Sequence, residues 1–152
     1  MRRSLHALAA IVVMTGGAAA YLLLPRPAAA QAVMLYKNPQ CGCCEAYADY
    51  LRRYGFTVTE KPTHDLAAMS RGVGLADDVQ GCHLSMIETY AVSGHVPVDV
   101  IRRLLGERPD IKALTLPGMP QGSPGMGGTK AAPFEILQVS QSGVVTGVYA
   151  RR

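Results

Sequence analysis

Beyond residue 30 the apolar positions fall into short, recognisable periods. Val33, Met34, Leu35 and Tyr36 make a brief apolar run of the kind found in a buried strand. After a loop holding Pro39 and Gly42, Cys44, Tyr47, Ala48, Leu51 and Tyr54 recur at helical spacing, and Gly55 supplies the stop. Residues 56–59, Phe-Thr-Val-Thr, alternate and are rich in β-branched side chains, which predicts a second strand. Asp65 is placed to cap a short helix through Leu66 and Met69 that ends near Gly72. Residues 84–92 read as one strand, with Ser93-Gly94 as a hairpin turn and His95-Val96 as the start of the return. Pro97 then opens a helix with Val98, Ile101 and Leu105 on one face, ended by Gly106 and Pro109. Residues 134–139 and 144–149 flank a turn at Ser142-Gly143 and predict a further hairpin.

A strand–helix–strand beginning calls for a parallel pair joined by a right-handed crossover. The expected class is therefore α/β: a small mixed sheet flanked by helices, compatible with a thioredoxin-like core, with an extra C-terminal β-hairpin. Residues 115–133 do not fit any period. They are rich in Gly and Pro and contain Pro-Gly-Met twice, at Met119 and at Met126. A loop of that length inside a compact domain is functional or disordered.

The first thirty residues differ from the rest. Arg2 and Arg3 precede an apolar stretch from Leu5 to Leu24, broken by Gly16-Gly17 and closed by Pro25, and Ala28-Ala29-Ala30 follows. This is the order of a secretory signal peptide, with cleavage expected after Ala30 and Ala32 as the near alternative. An uncleaved membrane anchor is the competing reading, since a stretch of ~20 apolar residues can just span a bilayer. Both put residues 31–152, a single domain, outside the cytoplasm, and a bacterial periplasm is the expected address. After cleavage no membrane association is expected.

Charge adds an exclusion. The formal net charge of +4 shrinks once the leader, with three arginines and no acid, is set aside: 12 basic residues then face 11 acidic ones. Those bases are scattered, so a nucleic-acid partner is not expected. There is no acid pair, Ser-His-Asp arrangement or phosphate-cradling glycine loop to support a hydrolase or a nucleotide binder.

The chemistry lies in the four cysteines, Cys41, Cys43, Cys44 and Cys82. Cys41 and Cys44 have the C-x-x-C spacing at the start of a helix, where backbone N–H groups favour thiolate over thiol. Three readings compete. Two ordinary disulfides are permitted in an exported protein, but Cys43 and Cys44 are crowded, and a Cys41–Cys44 bridge closes hardly any loop and adds little stability. A thiol–disulfide oxidoreductase fits the C-x-x-C after a strand. Cys43 counts against it, because a third thiol would compete in any mixed disulfide. Moreover, the cis-proline that thioredoxin-like enzymes usually place beside the active site has no counterpart before residue 84, where Cys82 and His83 stand instead. A soft-metal site is the third reading: three sulfurs in one turn plus a remote Cys-His pair suit monovalent copper or zinc, the compact three-thiol turn resembles the split pairs of zinc fingers less, and several close sulfurs can bridge more than one monovalent copper.

A resemblance sharpens the third reading. The run Tyr36-Lys37-Asn38-Pro39-Gln40-Cys41-Gly42-Cys43-Cys44 is similar to the hallmark of a family of small exported metal-binding proteins of unknown function that includes the CopG-type copper-resistance proteins. It continues through Gly81-Cys82-His83, Ser93-Gly94-His95-Val96-Pro97, Ile101-Arg102-Arg103-Leu104-Leu105, Pro117-Gly118-Met119-Pro120 and Gly122-Ser123-Pro124-Gly125-Met126. The resemblance implies a thioredoxin-like fold, a periplasmic location and copper bound by Cys41, Cys43, Cys44 and Cys82 with His83 nearby; the thiol chemistry points to Cu(I) as the ion, with a polynuclear cluster as a further option. His95, Met119 and Met126 are further candidate ligands, each weighed against a structural role: His95 as a turn cap, the thioethers as packing for the loop. Met86 is assigned to sheet packing and His64 to solvent. The expected partners are copper ions and another periplasmic copper-handling protein. The expected role is copper tolerance, sequestration or transfer, with an envelope thiol–disulfide oxidoreductase using Cys41 and Cys44 as the alternative.

Overall fold

The computed structural model describes residues 30–152. The expected leader therefore lies outside the described residues, apart from Ala30. None of the described helices is long and apolar enough to cross a membrane.

In chain order the elements are β1 (Ala32–Lys37), α1 (Gly42–Arg53), β2 (Thr57–Pro62), α2 (Leu66–Gly72), β3 (His83–Ile87), β4 (Tyr90–Ser93), α3 (Val98–Glu107), β5 (Ala113–Thr115), β6 (Glu135–Val139) and β7 (Val145–Arg151). They form one mixed seven-stranded sheet in the order β2-β1-β3-β4-β5-β6-β7. β1 and β2 run parallel, whereas β3 lies antiparallel to β1 with Lys37 opposite His83. The first four strands and their helices are arranged compatibly with a thioredoxin-like core, and the β6–β7 hairpin extends the sheet at its far edge.

Helices cover both faces. On one side α1 and α3 bury Tyr47, Leu51, Ile101 and Leu104 against Leu35, Leu114 and Ile136. On the other, Leu66 and Met69 of α2 pack on a smaller cluster built on Leu75, Leu84 and Val139. Met86 also packs there, as expected for a sheet residue.

α1 shows how local sequence places the site. Cys44, Tyr47, Ala48 and Leu51 are its buried positions, a stripe at i, i+3, i+4 and i+7 that locks the helix onto the sheet. Its end is a Schellman motif: Phe56 N–H donates to Leu51 O, Gly55 N–H donates to Arg52 O, and Gly55 sits at φ +88°. The stop signal at Gly55 thus has its expected cause. Because Cys44 is tied to that buried stripe, the first turn of α1 is held at the end of β1.

Four expectations need correction. Residues 84–92 are not one strand: the chain reverses at Glu88-Thr89, where Ile87 pairs with Tyr90. Glu88 takes φ +53° and is held there by Gln31 Nε2 and Arg108. No glycine or asparagine marks that turn, so its signal is weak in sequence. Ser93-Gly94 instead leads out of β4 toward α3, and His95 is a buried residue of that connection rather than the start of a return strand. Asp65 stands at the head of α2 but makes no side-chain capping bond; its own N–H donates to Thr63 Oγ1. Finally, Gly106 lies within α3, and the helix ends at Arg108 in the left-handed conformation at φ +49°. β5, three residues long, falls below the length at which a period can be read.

Candidate metal centre

The antiparallel β1–β3 pair decides where the cysteines meet. Lys37 ends β1 and His83 begins β3 directly opposite, so Cys82 is delivered to the mouth of α1. The four sulfurs lie within 4.8 Å of one another. Cys41 and Cys44 are joined as a disulfide, while Cys43 and Cys82 are free. The four therefore do not pair off as two staples. Cys43 Sγ stands 3.4 Å from Cys41 Sγ and 4.0 Å from Cys82 Sγ, and Cys44 Sγ lies 3.6 Å from Cys82 Sγ.

Two imidazoles close the other side. His95 Nε2 lies 3.0 Å from Cys82 Sγ, and His83 Nδ1 lies 3.5 Å from the same sulfur. Both rings are fully buried, and they meet edge-on with 4.9 Å between centroids. Tyr47 packs on both, its hydroxyl donating to Val96 O at 2.7 Å. His95 Nδ1 is 2.6 Å from Pro124 O. A carbonyl can only accept, so Nδ1 carries the proton and Nε2 presents a lone pair to Cys82. His83 Nε2 is buried without a hydrogen-bond partner.

The electrostatics keep this corner neutral without metal. Burial, reinforced by the charge and hydrogen bond of Cys43, pushes the Cys82 thiol up to about 12. Burial pushes His83 down to about 3, with His95 adding to the effect, and burial also lowers His95. A neutral thiol beside a neutral imidazole is thus the metal-free state. A metal entering here would displace the Cys82 proton.

Lys37 belongs to the frame of the site, and sequence reading overlooked it. Its side chain is 4% exposed, yet Nζ pairs with Glu45 Oε1 at 2.8 Å and also reaches Pro39 O at 3.4 Å. That clamp ties the end of β1 to the loop before Cys41 and to the first turn of α1. A lysine in phase with buried Val33 and Leu35 on an alternating strand was the available signal.

The remaining candidates separate. Met119 is 52% exposed, and His64 is exposed as expected. Met126 is half-buried in the segment that passes over α1 beside His95.

Comparison with solved structures gives the decisive likeness. A copper resistance protein, CopG, solved in two forms, matches at 32% identity over 81% of this chain and 98% of its own, with TM-scores of 0.74 and 0.73. The chain belongs to the CopG-type copper-resistance family. The family model described as a protein of unknown function, DUF411, matches residues 79–126, which include Cys82, His83, His95 and Met126. No curated protein matches the chain. In this CopG-type chain, then, the family-model match covers the Cys82-His95 half of the site, and the structural likeness extends across nearly the whole relative.

Proposed function

We propose that this protein binds copper as Cu(I), through Cys41, Cys43, Cys44 and Cys82 with imidazole nitrogen from His95 and His83, in copper tolerance, sequestration or transfer. The observation that carries the reading is the convergence of four sulfurs within 4.8 Å with the His95 Nε2 lone pair 3.0 Å from Cys82. Thiolate and imidazole are donors suited to monovalent copper, and closely spaced sulfurs can bridge several ions, so a polynuclear cluster fits the donor set. The Pro124 carbonyl on His95 Nδ1 is the outer partner that a ligating imidazole usually has. The likeness to a copper resistance protein supports the same metal. The signal-peptide-like order of the first thirty residues supports a periplasmic site of action, where a second copper-handling protein would deliver or receive the ion.

Reduction of the Cys41–Cys44 bridge precedes full loading, because a disulfide sulfur is not a thiolate ligand. Anaerobic Cu(I) titration of the reduced protein, with metal analysis, tests the proposal. At least one tightly held copper per chain is expected, and no copper retained against a competing chelator would refute it. The bridge at the head of a helix also favours the second reading, an envelope thiol–disulfide oxidoreductase. Insulin-reductase activity that survives Cys43→Ser, together with copper affinity unchanged in that variant, would select it.

A further inference from the structure

The Gly- and Pro-rich segment between β5 and β6 is built from tight turns rather than disorder. In Ser123-Pro124-Gly125-Met126, Met126 N–H donates to Ser123 O at 2.9 Å and Gly125 takes φ +80°. Proline at the second position and a positive φ at the third define a type II turn. Types I and II differ by a flip of the central peptide, with ψ at the second position about +120° in one and about −30° in the other. The carbonyl of that central peptide is Pro124 O, the acceptor of His95 Nδ1–H. The turn is also pressed against α1: a Cβ on Gly125 would lie 2.7 Å from Tyr47 N and 2.9 Å from Tyr47 Cα. Ser123 is buried and its hydroxyl donates to Pro120 O at 2.7 Å, which fixes the turn from the other side.

We infer that this turn is a positioning device for His95: Gly125 permits the type II geometry and the close seat on α1, the Pro124 carbonyl is thereby aimed at Nδ1, and Nε2 is left as the lone pair facing Cys82. Without the carbonyl, either ring nitrogen could carry the proton, and the tautomer with Nε2–H cannot ligate from that nitrogen. The purpose of the device rests on His95 being a ligand, but its existence can be tested with no metal present. Gly125 and Pro124 act through His95.

The test is the imidazole nitrogen spectrum of metal-free, ¹⁵N-histidine-labelled protein above pH 7.5, with His95 assigned by its absence in His95→Gln. The wild type should show His95 wholly as the Nδ1–H tautomer, and so should Pro124→Ala, which keeps both the carbonyl and the glycine. Gly125→Ala, in protein shown to be folded, should gain the Nε2–H form and lose about 10- to 100-fold in copper affinity, as loss of an outer-shell partner does. If Gly125→Ala does not fold, Pro124→Gly, which adds no atom and loosens the turn, takes its place and should also populate the Nε2–H form. Nε2–H in the wild type, or a folded disruptive variant that stays wholly Nδ1–H, overturns the inference. Failure of the wild type to bind copper would remove the copper proposal and leave the tautomer result standing.

Discussion

Lys37 and Glu45 are joined across the head of helix α1 at 2.8 Å, one side chain 4% exposed and the other 58%. The pair is asymmetric. Removing Glu45 strands a buried ammonium whose nearest other carboxylate, Glu60, is 3.9 Å away. Replacing Lys37 by an apolar side chain of similar length leaves only an exposed carboxylate in water. Glu45→Ala should therefore cost about 1–2 kcal/mol, a hydrogen bond to a charged group discounted for the exposure of its partner. Lys37→Met should stay within about 1 kcal/mol of wild type. Urea unfolding of both variants measures the order, and a larger loss for Lys37→Met would show that the clamp does not act as described.

The oxidised protein should contain two free thiols, on Cys43 and Cys82. Alkylation under denaturing conditions without reductant should add two labels by intact mass, and peptide mapping should place them there. Four labels would mean that the Cys41–Cys44 bridge does not form.

Each cysteine should matter to copper unequally. Cys82 touches both the sulfur cluster and the two imidazoles. Cys82→Ser should therefore weaken Cu(I) binding more than Cys43→Ser, whose contacts are to sulfur alone. Competition with a chelator of known affinity ranks them. Equal losses would argue that the imidazoles take no part.

Acid should destabilise the metal-free protein earlier than carboxylates alone require. His83 is held neutral with its folded value at about 3, below its ordinary value of 6.5. Between those limits the unfolded chain binds a proton that the folded chain refuses. Stability contributed by keeping His83 neutral is therefore intact above about pH 6.5 and is lost as the pH falls toward 3, by up to about 1.4 kcal/mol per pH unit. His95, also lowered, adds in the same direction. Unfolding free energies at several pH values should show a shallower slope in His83→Gln than in wild type. Parallel slopes would contradict the assignment.

Glycines give a control of opposite signs. Gly106 lies in α3 with open space where a Cβ would go, so Gly106→Ala should stabilise by about 0.5–1 kcal/mol. At Gly81 the same methyl would run into the backbone of Gly94, so Gly81→Ala should destabilise by about 1–3 kcal/mol or more. Thermal melts separate the two, and a neutral Gly81→Ala would mean that the Gly81–Gly94 contact is looser than described.

What the sequence disclosed follows from which signals are local. The α1 stripe, its glycine stop and the C-terminal hairpin were legible because period and turn residues lie within a few positions of each other. The nearness of Cys82 to the CGCC turn was legible because Cys82 and His83 stand where a thioredoxin-like core would set its cis-proline, beside the head of the first helix. The Glu88-Thr89 reversal was not, since its positive φ is held by distant Gln31 and Arg108 instead of by a glycine. Nor was the burial of His95, which depends on a carbonyl 29 residues away. The Gly- and Pro-rich composition of residues 115–133 marked a loop, but its tight turns and the backbone contact of one of them with Tyr47 are properties of the assembled fold.

Cys44, Cys82, His95 and Pro124 come from four separate stretches of chain, and only the finished sheet brings them together. An unfolded chain keeps just the three sulfurs of the CGCC turn. Binding at the full site and folding are then one coupled equilibrium: copper held by the native state alone adds RT ln(1 + [L]/Kd) to its stability. A chain not yet folded would compete poorly for copper. The same chain, once folded, would become harder to unfold with the logarithm of the copper around it.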